Sequence, residues 1–151
     1  MLKWIQKHLL GRSDIYFGES LYMRRWRFGP RKFFGVRLHH TMHGDLDREL
    51  HDHPFTFITI ILSGGYWEHL LDGGKKWHGP GSVLLRQAEV FHRLELDEPT
   101  WTLVFRGPIR RMWGFLTDTG WISWKEHVAR RESKAIKGTR SSTSFVSESS
   151  I

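Results

Sequence analysis

The sequence contains no cysteine. That one absence removes disulfides, thiolate zinc sites, iron–sulfur clusters and cysteine nucleophiles together, so any metal must be held by His, Asp or Glu. Long apolar runs are missing as well: no stretch reaches the roughly eighteen residues of a membrane-spanning helix. The opening MLKWIQKHLLG has too short an apolar segment, and no small-residue cleavage site, for a secretory signal. We therefore expect a soluble, cytoplasmic protein with no membrane span.

Positive charge is also missing from the middle of the chain, although the formal net charge is +7. Residues 1–37 carry nine Lys and Arg against two acids and residues 125–151 six against three, which leaves 8 basic and 11 acidic residues between 38 and 124. The excess sits on the ends, and with no recognisable nucleic-acid motif present it argues against a nucleic-acid partner.

What is present is aromatic and histidine-rich: eight Trp, ten Phe and ten His in 151 residues. The length suits one domain, and the aromatic content favours a β-rich fold with an aromatic-lined interior. Residues 2–10 place Leu2, Ile5 and Leu9 on one side of a short helix, and leading strands flank Gly18 up to about residue 32. From residue 33 to 124, short apolar segments alternate with turn signals such as Ser63-Gly64-Gly65, Asp72-Gly73-Gly74, Gly79-Pro80-Gly81 and Thr117-Asp118-Thr119-Gly120. Punctuation every eight to twelve residues or so predicts an all-β sandwich or barrel. HPFTFITIIL reads as one long strand. Residues 125–151 read as a helix followed by a disordered serine-rich tail. The aromatic run WGFLTDTGWISW, residues 113–124, is expected to close a barrel end or bury a dimer surface.

The chemistry concentrates in HDHPF, residues 51–55. On a strand, residues two apart share a face, so His51 and His53 converge, with Glu49 and Phe57 at the same parity. A neighbouring strand, VFHRLEL, offers His92 as a third donor. Three imidazoles suit iron, zinc, copper, nickel and manganese and leave coordination positions open. Solvated or core histidines are the plainer alternative for the same residues.

This arrangement resembles the cupin superfamily, whose motifs read G-x5-H-x-H-x3,4-E-x6-G and G-x5-P-x-G-x2-H-x3-N. His51, His53 and Gly64 match the first motif, and Gly81 and His92 the second, over about residues 34–116. The departures are Phe57 in place of the usual glutamate ligand, Gln87 and Glu89 for a proline and a glycine, Leu96 for the asparagine, and Gly44 one residue out of register. The resemblance implies a jelly-roll β-barrel with a metal at its mouth. Its three-histidine set without a carboxylate is similar to that of thiol dioxygenases such as cysteine dioxygenase.

The implied activity is therefore that of a mononuclear Fe(II) dioxygenase-like enzyme acting on a small chelating substrate, a thiol or a carboxylate. Zinc, nickel, manganese and copper stay open as the metal. A metal-assisted isomerase or lyase and a non-catalytic ligand-binding cupin are the rival readings. Glu49, Glu68 and His40 are candidates for a fourth ligand or for support of the ligands, and Arg37, Phe57, Tyr66, Arg86 and Arg106 for contacts to a small, anionic substrate. A homodimer is the expected assembly.

Overall fold

The computed structural model describes residues 10–17, 19–29, 33–45 and 49–143. The helix expected before residue 10 and the last eight residues of the serine-rich tail lie outside them. Twelve strands follow in order: β1 (Leu10–Phe17), β2 (Ser20–Phe28), β3 (Gly35–Thr41), β4 (Leu50–His51), β5 (Phe57–Ser63), β6 (Tyr66–Leu70), β7 (Lys75–His78), β8 (Val83–Arg86), β9 (His92–Glu95), β10 (Thr100–Arg106), β11 (Gly114–Thr117) and β12 (Gly120–Ser123). One helix, α1 (Trp124–Thr143), ends the described chain and takes in the first residues of the serine-rich stretch.

The strands form two six-stranded sheets, one in the order β1-β2-β3-β10-β5-β8 and the other β12-β11-β4-β9-β6-β7, with every pairing antiparallel. From β3 to β6 and from β7 to β11 the chain crosses from sheet to sheet at each step, the jelly-roll habit that leaves a cavity between two facing layers. β1 and β2 extend the first sheet outward from β3.

The turn chemistry explains the hairpins. Asp72 Oδ1 accepts the Gly74 amide at 2.7 Å and Gly73 has φ +81°, which closes β6 onto β7. Gly64, between β5 and β6, has φ +77°, and a Cβ there would stand 2.8 Å from the Pro99 carbonyl oxygen, so only glycine fits.

One expectation is corrected and another is extended. HPFTFITIIL is not one strand: β4 stops at His51, residues 52–56 form a loop, and β5 starts at Phe57. Pro54 lies in that gap and has no amide to give a ladder. Nor do aromatics alone line the interior. The inward positions of β10 are Thr100, Thr102, Val104 and Arg106, and Thr41 and Thr59 are buried beside them. Several large aromatics stack elsewhere, as in Trp26 on Trp101 (5.5 Å) and Trp67 against Trp77 (5.4 Å).

The residue between the two histidines carries the local architecture. Asp52 is completely buried; it accepts from the Gly114 amide (2.7 Å) and Trp121 Nε1 (3.1 Å) and pairs with Arg111 (2.9 Å), while its own amide donates to the Gly114 carbonyl. The aromatic run thus closes the barrel end around HDHPF: Phe115 stacks on His127 at 4.0 Å and Trp113 on Trp124 at 6.1 Å. Removing a buried, paired carboxylate strands its donors, so Asp52→Ala should destabilise the fold by about 3–5 kcal/mol. Urea unfolding checks this, and an unchanged midpoint would contradict the clamp.

Candidate metal centre

His51 is the Cα partner of His92 across β4 and β9, so two of the three histidines meet by register alone. His53 arrives from the loop. Its amide donates to the Ala88 carbonyl at 2.9 Å and the Ala88 amide donates to Thr56 Oγ1 at 3.3 Å, which pins the loop after β4 to the one before β9. Asp52 points the other way, so the in–out alternation of a strand persists where the ladder has ended.

The result is a compact cluster. One nitrogen from each of His51, His53 and His92 lies within 4.8 Å of the others, and the ring centroids are 5.0–5.2 Å apart. His53 Nε2 and His92 Nε2 face one another at 2.7 Å. Burial, then the neighbouring His51 and His92, pushes His53 well below the ordinary histidine range. Neutral imidazoles converging on one point are what a divalent transition metal needs, and this donor set fits one.

Glu68 holds the cluster in place. Its carboxylate is 1% exposed and receives His92 Nδ1 at 2.6 Å, His78 Nε2 at 2.9 Å, Arg86 Nε at 2.6 Å and a second, short bond from the same guanidinium. Burial by itself would raise the Glu68 carboxyl, but the bonds from His92 and Arg86 and their charges outweigh it and hold it well below the usual carboxylate range. An ionised carboxylate only accepts, so His92 Nδ1 carries a proton and Nε2 is the nitrogen that faces the cluster. Glu68, a candidate for a fourth ligand or for support, stands behind His92 and supports it.

Asp45, in the segment between β3 and β4, does related work for His51. It accepts from Tyr22 Oη and from the Leu94 amide, each at 2.7 Å, and stands 3.8 Å from His51 Nδ1. Its only sequence signal was an acidic residue six positions before the pair.

The remaining candidates separate. Arg37, Phe57, Tyr66 and Arg86 line the same cavity of about 430 Å³ as the three histidines. Phe57, in the place of the motif's glutamate, sets its ring edge-on to His53 at 4.7 Å. Tyr66 is raised by burial and by the Glu68 charge, so it stays protonated. Arg86 is committed to Glu68. Arg106 turns to a smaller cavity of about 140 Å³, its guanidinium 5.4 Å from the Phe55 ring. Glu49 lies neither in the cluster nor in the cavity wall. His40 faces outward and stacks on Trp101 at 4.1 Å, because the inward parity of β3 belongs to Arg37, His39 and Thr41. His39, which sequence reading passed over, is thereby in the wall.

No family model matches the chain, and no curated protein matches it. Solved structures do, by shape. Rru_A2000 from Rhodospirillum rubrum, a cupin-2 domain, has a TM-score of 0.59 at 14% identity, over 74% of this chain and 78% of its own. The Fe(II) form of HppE has 0.53 at 8%, over 64% and 56%. A structure of the DMSP lyases RdDddP and RnDddQII has 0.51 at 20%, over 65% and 56%. This chain therefore spans little more than half the length of the last two. The protein has the cupin fold. Its three-histidine cluster can hold a metal ion, and at identities this low the activity has to be argued from the site.

Two outcomes follow. Glu68→Gln weakens the hold on His92 and is expected to lower Zn²⁺ affinity about 10–100-fold, read by competition with a chromophoric chelator; undiminished affinity would contradict the support role. Separately, burial, reinforced by Arg25 and Arg37, pushes His39 from 6.5 down to about 3. The unfolded chain then binds a proton that the folded protein refuses between pH 6.5 and 3, so the stability His39 contributes is full above 6.5 and is lost as the pH falls through that window. In urea unfolding, wild type should lose more stability than His39→Gln between pH 7 and pH 5; equal losses would count against it.

Proposed function

We propose that the protein is a metal-dependent enzyme of the mononuclear non-haem iron type, with His51, His53 and His92 as ligands, that brings dioxygen to a small chelating substrate. The observation that carries this reading is the all-imidazole cluster beside Phe57. Three neutral donors leave the metal's charge uncompensated, and the apolar ring fills the place from which a carboxylate would have supplied it. An anionic substrate that binds the metal supplies it instead. The Fe(II) form of HppE, similar in fold, supports iron as the choice among the metals that imidazole accepts.

Bound iron would supply the redox chemistry and a Lewis acid for the substrate. The chain does the rest. Glu68 keeps the His92 proton on Nδ1, and Asp45 holds the His51 edge of the cluster. Phe57 keeps water from the ligands' inner side, while Arg37, on the far wall, provides a cation for a substrate anion.

A second reading, metal-assisted proton transfer in an isomerase or lyase, draws on Tyr66, a protonated phenol in the cavity wall. The DMSP lyases among the similar structures are consistent with it.

Metal analysis of protein purified without chelator, followed by oxygen uptake with Fe(II) and a panel of thiols and chelating acids, separates these readings. Stoichiometric iron and substrate-dependent uptake are expected, and both should disappear in His51→Ala, His53→Ala and His92→Ala. Tight metal without uptake, and a Tyr66→Phe variant that loses turnover of a lyase substrate, would favour the second reading. Absence of any metal would overturn both.

A further inference from the structure

The cavity has two chemically different walls. The second sheet brings the histidine cluster, and the first sheet brings Arg25 from β2 with Arg37 and His39 from β3. Arg25 and His39 are direct cross-strand partners, and Arg37 is two residues along on the same inward face.

These cations are not neutralised. Among the described residues neither guanidinium is paired with a carboxylate: Arg25 Nε donates to Ser13 Oγ at 3.3 Å, and Arg37 lies over the Phe55 ring at 5.0 Å. Among the described residues Asp45 is the one acid in the cavity wall, and it is engaged by Tyr22 and Leu94. The contrast with Arg86, also in the wall but saturated by Glu68, is direct. Burial, and to a lesser degree the neighbouring Arg25, Arg106 and Arg27, pushes Arg37 down to about 10, as expected of a buried guanidinium with no counter-ion beside it. His39 Nε2 is buried with no hydrogen-bond partner, an uncommon condition for a polar atom in a wall that faces a cavity.

We propose that Arg25, Arg37 and His39 form a subsite for the anionic group, a carboxylate or a phosphoryl group, of a small molecule whose other end reaches the histidine cluster across the cavity. Arginine forks accept either oxyanion in bidentate geometry, and a neutral His39 can donate from Nε2. A volume of about 430 Å³ falls within the range of small-molecule sites and leaves room for both ends. The anion subsite stands on the first sheet's residues alone; the placement of the ligand's other end rests on the metal-binding reading.

The test uses the full chain stripped of metal, with inorganic phosphate and acetate as separate probes. Binding is followed by calorimetry and by the His39 ring resonances in NMR. Saturable binding of at least one probe, with a shift of the His39 signals, is expected; which probe saturates identifies the oxyanion. Arg25→Gln and Arg37→Gln should each weaken it about tenfold or more, and Arg37→Lys should recover part of the loss because charge remains while the fork is gone. The His51→Ala, His53→Ala, His92→Ala triple variant should bind the probe within about twofold of wild type, since the subsite does not use those ligands. If neither probe saturates, or if the Gln variants bind as wild type does, the subsite is overturned. Zn²⁺ titration of the wild-type chain keeps the two proposals apart: metal binding with no anion binding removes the subsite alone, and anion binding with no metal binding removes the metal reading alone.

Discussion

The carboxylate of Glu68 is the constraint on which the rest of the barrel depends. It is buried between the sheets and takes donors from β7, β8 and β9, so one side chain ties the second sheet, through Arg86, to the edge of the first. A charge so deeply placed is tolerable only when nearly every lone pair is used, and here Arg86 supplies two bonds and the imidazoles two more. The same bonds determine which nitrogen of His92 is left to face the cavity. Architecture and site are therefore held by one group.

A second buried carboxylate, Asp52, does the corresponding work at the other end of HDHPF. It anchors the loop to β11 and Trp121, which lets two histidines converge after the strand has ended. Neither acid points into the cluster as a ligand. Negative charge stands one bond behind the imidazoles, Phe57 occupies the front, and the unneutralised cations line the opposite wall. Across the cavity the walls change from imidazoles to arginines, an arrangement suited to a ligand that is anionic at one end.

Much of the fold could be read from the residues because its signals are local. Gly64, Gly73 and Gly120 sit at positive φ in turns that the composition marked, and the regular return of such turns is enough to announce a two-layer β fold. The histidine pair and His92 were legible through spacing, since β parity and the motif intervals depend on distance along the chain. Parity also put Phe57 beside them. His40 could not be placed this way, because nothing local tells which face of β3 is inward; His39 and Arg37 hold that face once β10 and β2 are paired on either side.

What the sequence by itself determined is the class of fold and the set of imidazoles, because turn residues and two-residue alternation act within a few residues of chain. The tertiary structure alone decided which acids serve them. Glu68 meets His92 and Arg86 from 24 and 18 residues away, Asp52 meets Trp121 from 69, and Arg25 meets His39 from another strand. Such pairings depend on which strands neighbour one another and in what register, and that follows from the closing of the whole barrel rather than from any segment of it.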